Sequence, residues 1–300
     1  MRDFLVLNKK VYLTLLSFLV LLFFLDFEVS SNLNYPKVLG EASSITSDYP
    51  ILRTKIFPQI SATGAIIMDS DSKVVLFSKN PDLRFSTAST AKIMTALTAL
   101  DYFRQSDILT VKAASPEGSI LGLKTGERFT FENLLYGMLL PSANDAAFAI
   151  AQNFSSEQNF VRQMNINASK FNLYNTHYED PAGLEDDGDY TTPLDLARLA
   201  SIAIKNPIFA QIVSTKQKTI ADLGGNIYQL NNLNKLLGID GVDGVKTGTT
   251  EGAGQVLVTS KVDNGHTIII VVMGSEDRYL DTQKLLSAIS GNITYLPIRP

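Results

Sequence analysis

The chain has 300 residues, 45% of them apolar and 19% charged, enough to build one large domain or two small ones. A formal net charge of −4 argues against nucleic acid as a partner, because phosphate binding needs a basic face. The absence of cysteine excludes disulfides, a thiolate nucleophile and a zinc–sulfur site.

Arg2, Lys9 and Lys10 precede the apolar run VYLTLLSFLVLLFFL at residues 11–25, and Asp26 and Glu28 follow it. Positive charge before such a run and negative charge after it predict a cytoplasmic N-terminus and an exported remainder. As a helix the run would reach about 22 Å, short of the roughly 30 Å hydrocarbon core, which suits a signal sequence or a short anchor. No A-x-A follows, and Val29-Ser30-Ser31 is only a passable cleavage site, so the reading favours an uncleaved anchor over residues 1–27. The expected location is outside the cytoplasm, tethered to the membrane by this segment, or secreted if it is cut. Residues 28–57, rich in Ser, Asn and Pro without periodicity, read as a linker, and a globular domain is expected over 58–297.

That domain opens with GAIIMDSDSKVVLFSKN (64–80), two runs of strand formers around the polar turn 69–73, which predicts a β-hairpin. A helix is expected from about Ser89 to Phe103, with Ile93, Leu97 and Leu100 at i, i+4, i+7 and Met94 and Ala96 widening the apolar face, hence central and buried. FTFENLLYGMLL starts a further helix, Pro141 interrupts it, and another runs from about Asn144 to Gln152. Two more are expected over 157–172 and 193–205, the second with Thr192 as N-cap and Pro193 in its first position. GQVLVTSKVDNGHTIIIVVMG (254–274) predicts two strands joined at Asp263-Asn264-Gly265, and a last helix covers about 281–289. The pattern implies an α/β (α+β) domain: an antiparallel sheet drawn from both chain ends, helices on its faces, and an all-helical subregion between.

Several common sites are absent from this sequence. There is no G-x-S-x-G, only His177 and His266 exist, and H-E-x-x-H does not occur, so neither a Ser/His/Asp triad nor a zincin site has support. GVDGVKTGTT lacks the glycine that a phosphate loop needs before its lysine, and EDDGDY (185–190) fails the calcium-loop pattern and reads as a solvated acidic turn.

FSTASTAKIMTAL (85–97) carries five hydroxyls around Lys92. Helical spacing leaves two on the face of Lys92: Ser89 three residues before it and Thr95 three after. Ser89 is the better candidate. It is a primary alcohol at the helix start, where the dipole and free N–H groups favour a developing oxyanion, and Lys92 leans back toward it. A lysine buried there should have a lowered pKa and act as a general base. Taken alone, S-x-x-K recurs too often by chance to outweigh the plain reading of an N-cap serine and a surface lysine. Two further elements reverse that balance. Ser142-Ala143-Asn144 falls in the break between two helices, and Lys246-Thr247-Gly248 falls at a strand, where Gly248 would let an extended ligand approach the edge. S-x-x-K, S-x-N and K-T-G in that order form the set of penicillin-binding proteins and class A β-lactamases.

On these motifs, on FVRQMNINASKFNLYNTHYEDPAGLEDDGDYTTPLDLARLA (160–200) and on GSEDRYLDTQKLL near the end, the chain resembles the serine D-alanyl-D-alanine carboxypeptidases of the low-molecular-weight penicillin-binding type. The resemblance covers about residues 58–290 and implies a β-lactamase/DD-peptidase-like fold. It implies that Ser89 attacks the carbonyl between two D-alanines of a peptidoglycan stem peptide while Lys92 takes its proton. Ser142 would relay a proton to the leaving D-Ala, and Asn144 would hold the substrate amide. Lys246, Thr247 and Thr249 would face the substrate carboxylate with help from Arg278, and the N–H groups of Ser89 and Thr249 would form the oxyanion hole beside Gly248. β-Lactams would acylate the same serine, and no cofactor or metal is implied. Thr249 stands where family members often carry histidine, which leaves the deacylation step open. Larger members add a second domain and a C-terminal anchor; here the tether is expected at the N-terminal run. Two rival readings are a class A β-lactamase, for which no E-x-x-L-N-like glutamate is found, and a membrane-tethered penicillin sensor that acylates without turnover.

Overall fold

The computed structural model describes residues 47–113, 117–184 and 186–298, and the N-terminal apolar run lies outside them. Strands β2 (Gly64–Asp69) and β3 (Val75–Lys79) form the expected hairpin. A single 3-10 turn (Ala88–Thr90) then leads into α1 (Ala91–Leu100). The helical subregion follows: α2 (Phe131–Leu139), α3 (Asn144–Gln152) and α4 (Glu157–Lys170), then α5 (Pro193–Ala203) and α6 (Pro207–Val213). Strands β8 (Val242–Thr250), β9 (Gly254–Asp263) and β10 (His266–Ser275) return to the sheet, and α7 (Arg278–Ile289) closes the domain. Two short pairs lie outside the main sheet, β4 (Ile108–Thr110) with β5 (Arg128–Thr130) and β6 (Gln217–Ala221) with β7 (Ile227–Asn231).

The main sheet is antiparallel and ordered β3-β2-β10-β9-β8, so strands from both chain ends meet in it and β8 forms one edge. Strand β10 reads as an unbroken apolar run because both its faces are covered. Ile269, Val271 and Met273 pack into the core shared with the helical subregion, while Ile268, Ile270 and Val272 pack with Leu285, Leu286 and Ile289 of α7. The sheet is therefore the middle of three layers. α1 is inside the larger core, with every residue from Ala91 to Ala99 buried.

Local signals behave as their chemistry requires. Asn264 (φ 51°) and Gly265 (φ 83°) both take the left-handed conformation of a two-residue hairpin turn. The Thr192 side chain accepts from Asp195 N at the start of α5, with Pro193 in the first turn.

Three readings need correction. The helix expected from Ser89 begins with the 3-10 turn, and Ser89 lies in that turn, before α1. Part of the stretch read as linker is a strand: β1 (Ser47–Leu52) pairs antiparallel with β11 (Ile293–Ile298), a partner some 240 residues away that no local pattern announces. The turn read as acidic and solvated carries Asp189 at 2% exposure, because its carboxylate accepts hydrogen bonds from Thr87 Oγ1 and Glu179 N.

Candidate active site

The 3-10 turn that carries Ser89 is held in place by close backbone packing. Ala88 adopts φ 47°, and Gly183 packs so tightly against it that a Cβ there would lie 1.8 Å from the Ala88 carbonyl oxygen. On the other side, a Cβ on Gly248 would come within 3.1 Å of Ala88 Cβ and 3.4 Å of Ser89 N, so edge strand β8 passes directly beside the turn. Four of the five hydroxyls here are buried and serve structure. Ser86 donates to Asp186 O, Thr87 to Asp189, Thr90 to Thr87 O, and Thr95 to Pro181 O at 2.6 Å. Ser89 alone of the five is not buried. The ambiguity between Ser89 and Thr95 left by helical spacing is resolved by their surroundings.

Lys92 is fully buried, and its Nζ lies 2.9 Å from Ser89 Oγ, 2.7 Å from Asn144 Oδ1 and 2.8 Å from Ala182 O. Burial pulls its pKa down to about 7, against the opposing pull of the Asp180 and Asp145 carboxylates. The neutral amine has two N–H donors and one lone pair. Ala182 O can only accept, and Asn144 presents its oxygen because its Nδ2 donates to Glu117 O at 2.8 Å. Both protons are therefore directed to those two oxygens, and the lone pair is left for the Ser89 hydroxyl. That is the arrangement of a general base beside its nucleophile.

Ala182 belongs to a turn built by Asp180, whose carboxylate accepts from Ala182 N at 2.5 Å and from Gly183 N and Leu184 N at 2.7 Å. Pro141 ends the preceding helical segment, and Ser142 follows it in a left-handed conformation (φ 65°) that aims its hydroxyl across the cleft. Ser142 Oγ accepts from Lys246 Nζ at 2.8 Å. Lys246 is buried on β8, and its amine is pushed well below the usual value by burial first, then by the nearby charges of Lys92 and Arg278. Two Ser–Lys pairs thus converge from the 3-10 turn, the α2–α3 break and the sheet edge. Arg278, in the first turn of α7, donates through Nη1 to Gly248 O at 2.8 Å and to Thr249 Oγ1 at 2.7 Å. Its Nε is buried with no partner among the described residues. Thr247 is buried in β8, whereas Thr249 is exposed. Lys246, Arg278 and Thr249 place an amine, a guanidinium and a hydroxyl along one strand end, hydrogen-bond donors suited to a carboxylate.

All nine residues singled out from the sequence lie in this region. Reading the sequence missed the backbone acceptors, Glu117 O and Ala182 O, and the aspartates that hold their loops. Asp145 and Asp180 sit beside the quoted motifs, but nothing in a sequence announces that a particular carbonyl will face a lysine. Among the described residues, no cluster of His, Cys, Asp and Glu could hold a metal ion.

Relatives carry the same architecture. The family profile described as D-alanyl-D-alanine carboxypeptidase matches residues 52–277. A D-alanyl-D-alanine carboxypeptidase of Streptomyces sp. (strain K15) is 33% identical over 257 residues, covering 77% of this chain and 87% of the relative. DacF of Bacillus subtilis, also named a D-alanyl-D-alanine carboxypeptidase, is 32% identical over 75% of this chain, which spans 61% of that longer protein. Among solved structures, the Streptomyces K15 DD-transpeptidase superposes with a TM-score of 0.72 at 32% identity, covering 79% of this chain and 100% of that one. An evolved penicillin-binding protein homologue from Mycobacterium tuberculosis gives 0.76 at 27% identity over 83% and 99%. With the profile spanning most of the domain that bears the two Ser–Lys pairs, the chain belongs to the D-alanyl-D-alanine carboxypeptidase family.

Proposed function

We propose that the protein is a serine D-Ala-D-Ala carboxypeptidase that removes the terminal D-alanine from peptidoglycan stem peptides. One observation carries the reading: Lys92 Nζ, with its pKa lowered to about 7, sits 2.9 Å from the accessible Ser89 hydroxyl with its other two contacts on pure acceptors. Ser89 Oγ attacks the penultimate carbonyl carbon as Lys92 takes its proton. The tetrahedral oxyanion lies against the N–H groups of Ser89 and Thr249. As the C–N bond breaks, the D-Ala nitrogen takes a proton from the Ser142 hydroxyl, which Lys246 holds and which regains its proton from the Lys92 ammonium, so that Lys92 is a neutral base again. The substrate carboxylate rests on Lys246, Arg278 and Thr249. Water, deprotonated by Lys92, then attacks the ester and frees the shortened peptide. β-Lactams acylate Ser89 in the same way. The domain works outside the cytoplasm, tethered by residues 1–27.

A structural relative named a DD-transpeptidase supports a second outcome for the acyl-enzyme, transfer to an amine in place of water. The test is to incubate the full chain with a D-Ala-D-Ala peptide, with and without an acceptor amine, and separately with a fluorescent penicillin. D-Ala release, a long-lived label on Ser89, and loss of both in Ser89→Ala are expected. Rapid penicillin turnover without D-Ala release would sink the proposal, and label without any D-Ala release would indicate a sensor. Fractionating cells and sequencing the N-terminus of the protein tests the tether: recovery in the soluble fraction with a start beyond residue 27 would refute it.

A further inference from the structure

Asp145 directly follows Asn144 in the first turn of α3 and is 1% exposed. Its carboxylate reaches out of the helix to a neighbouring loop. Leu121 N donates to both oxygens, at 3.1 and 3.0 Å, and Gly122 N and Leu123 N donate to Oδ2 at 2.9 and 3.0 Å. Ala146 N donates to Oδ1 at 2.9 Å within the helix. The loop gripped in this way is the one that holds Asn144. Glu117 O accepts from Asn144 Nδ2 at 2.8 Å, Ser119 O accepts from Asn144 N at 2.7 Å, and the Ser119 hydroxyl donates to Pro141 O at 2.8 Å. The fit has no slack, since a Cβ on Gly118 would come within 2.6 Å of Asn144 Nδ2.

Asn144 can present either its oxygen or its NH₂ to Lys92, and the two ends have opposite consequences. The oxygen takes one lysine proton and leaves the lone pair for Ser89. The NH₂ group would compete with the Ser89 hydroxyl as a donor to that lone pair. The carbonyl of Glu117 decides between them, and the position of that carbonyl depends on the loop that Asp145 holds. We propose that Asp145 is a positioning residue of the reaction: through the 117–123 loop it fixes the Asn144 amide oxygen on Lys92 and so aims the lysine lone pair at Ser89. The proposal rests on Ser89 and Lys92 being nucleophile and base. Asp145 also acts through charge. Among the described residues the charged groups influencing Lys92 are Asp145 from α3, Asp180 from the 180–184 turn and Lys246 from β8. The two carboxylates support the ammonium form, and removing one favours the neutral amine.

The experiment follows the rate of Ser89 acylation by a fluorescent penicillin across the neutral pH range. It uses the full chain as wild type, Asp145→Asn and Gly118→Ala. In wild type the rate falls as pH drops through about 7, where Lys92 protonates. Asp145→Asn should lower the plateau rate on the order of 10²-fold while shifting that acid limb to lower pH, two effects that a general loss of stability would not combine. Gly118→Ala lies on an exposed loop, keeps the charge, and pushes on the Asn144 amide. It should lower the plateau about tenfold or more, read on folded protein at low temperature because an alanine at φ 71° is itself strained, and an unchanged plateau counts against the proposal even if Asp145→Asn does not fold. A plateau within about twofold of wild type in a folded Asp145→Asn, or in Gly118→Ala, overturns the proposal, as does an acid limb left at its wild-type pH in Asp145→Asn. Wild type that takes no label refutes the functional reading itself, a different failure.

Discussion

Lys92 and Lys246 are both buried, yet the same desolvation serves different chemistry in each. Lys92 points its lone pair at the nucleophile, whereas Lys246 donates to Ser142 and sits in the field of Arg278. Replacing Lys92 by Arg puts in a cation that does not deprotonate, so acylation should fall by about 10²- to 10⁴-fold, measured by penicillin labelling of protein that circular dichroism shows to be folded. Wild-type turnover should fall as pH drops through about 7, because protonation removes the base. A turnover rate flat down to pH 5 would exclude Lys92 from that role. Arg278 touches the site only at Gly248 O and Thr249 Oγ1, on the carboxylate side. Arg278→Ala should therefore raise KM for a D-Ala-D-Ala peptide about tenfold or more with a smaller effect on kcat, reflecting one lost charge-assisted hydrogen bond. At this scale the sequence was highly legible. Spacing narrowed the hydroxyls around Lys92 to Ser89 and Thr95, the start of the helix favoured Ser89, and the order of the three motifs brought in Ser142, Asn144 and Lys246.

The site is assembled at the ends and edges of elements: a 3-10 turn, a proline-terminated break, a sheet edge and the 180–184 turn. Gly183 is a demanding position, since it combines φ 79° with no room for a Cβ against Ala88 O. Gly183→Ala should destabilise the domain by about 2–4 kcal/mol, read from urea unfolding, and slow acylation, because the turn bearing Ser89 would have to move. Asp189 braces the same turn from below through Thr87. Burial first, then the charge of Asp180, raise its pKa from 3.8 to about 7. Between those values the folded protein holds a proton that the unfolded chain has released, so this group's contribution to stability falls as pH rises from about 4 to 7. Asp189→Asn keeps the shape without the charge, and should raise Tm above neutral pH while weakening that pH dependence; a variant with the wild-type Tm profile would refute the burial argument. Helices and hairpins were legible wherever caps and periodicity are local, as at Thr192-Pro193 and Asn264-Gly265. The 3-10 turn, the buried acidic turn and β1 were not, since each depends on a partner remote in the chain.

Across the whole molecule, the sheet separates two cores, and β10 contributes alternate residues to each. Ile270 faces α7, on the side away from Ser89. Ile270→Ala should cost about 2–5 kcal/mol, lowering Tm by roughly 5–15 °C, while leaving the acylation rate of folded protein unchanged at low temperature. A large rate loss would mean that the two layers are more tightly coupled than this layering implies. The same architecture explains where reading the chain stopped. Periodicity, caps and motif spacing, which single segments carry, were enough to read the class of fold, the order of the main elements and the candidate nucleophile and base. Which hydroxyl stayed accessible, which oxygens took the two protons of Lys92 and how strongly burial lowered its pKa came from packing alone. Those properties depend on desolvation and on backbone groups brought together from distant segments, and neither is written in any one stretch of the chain.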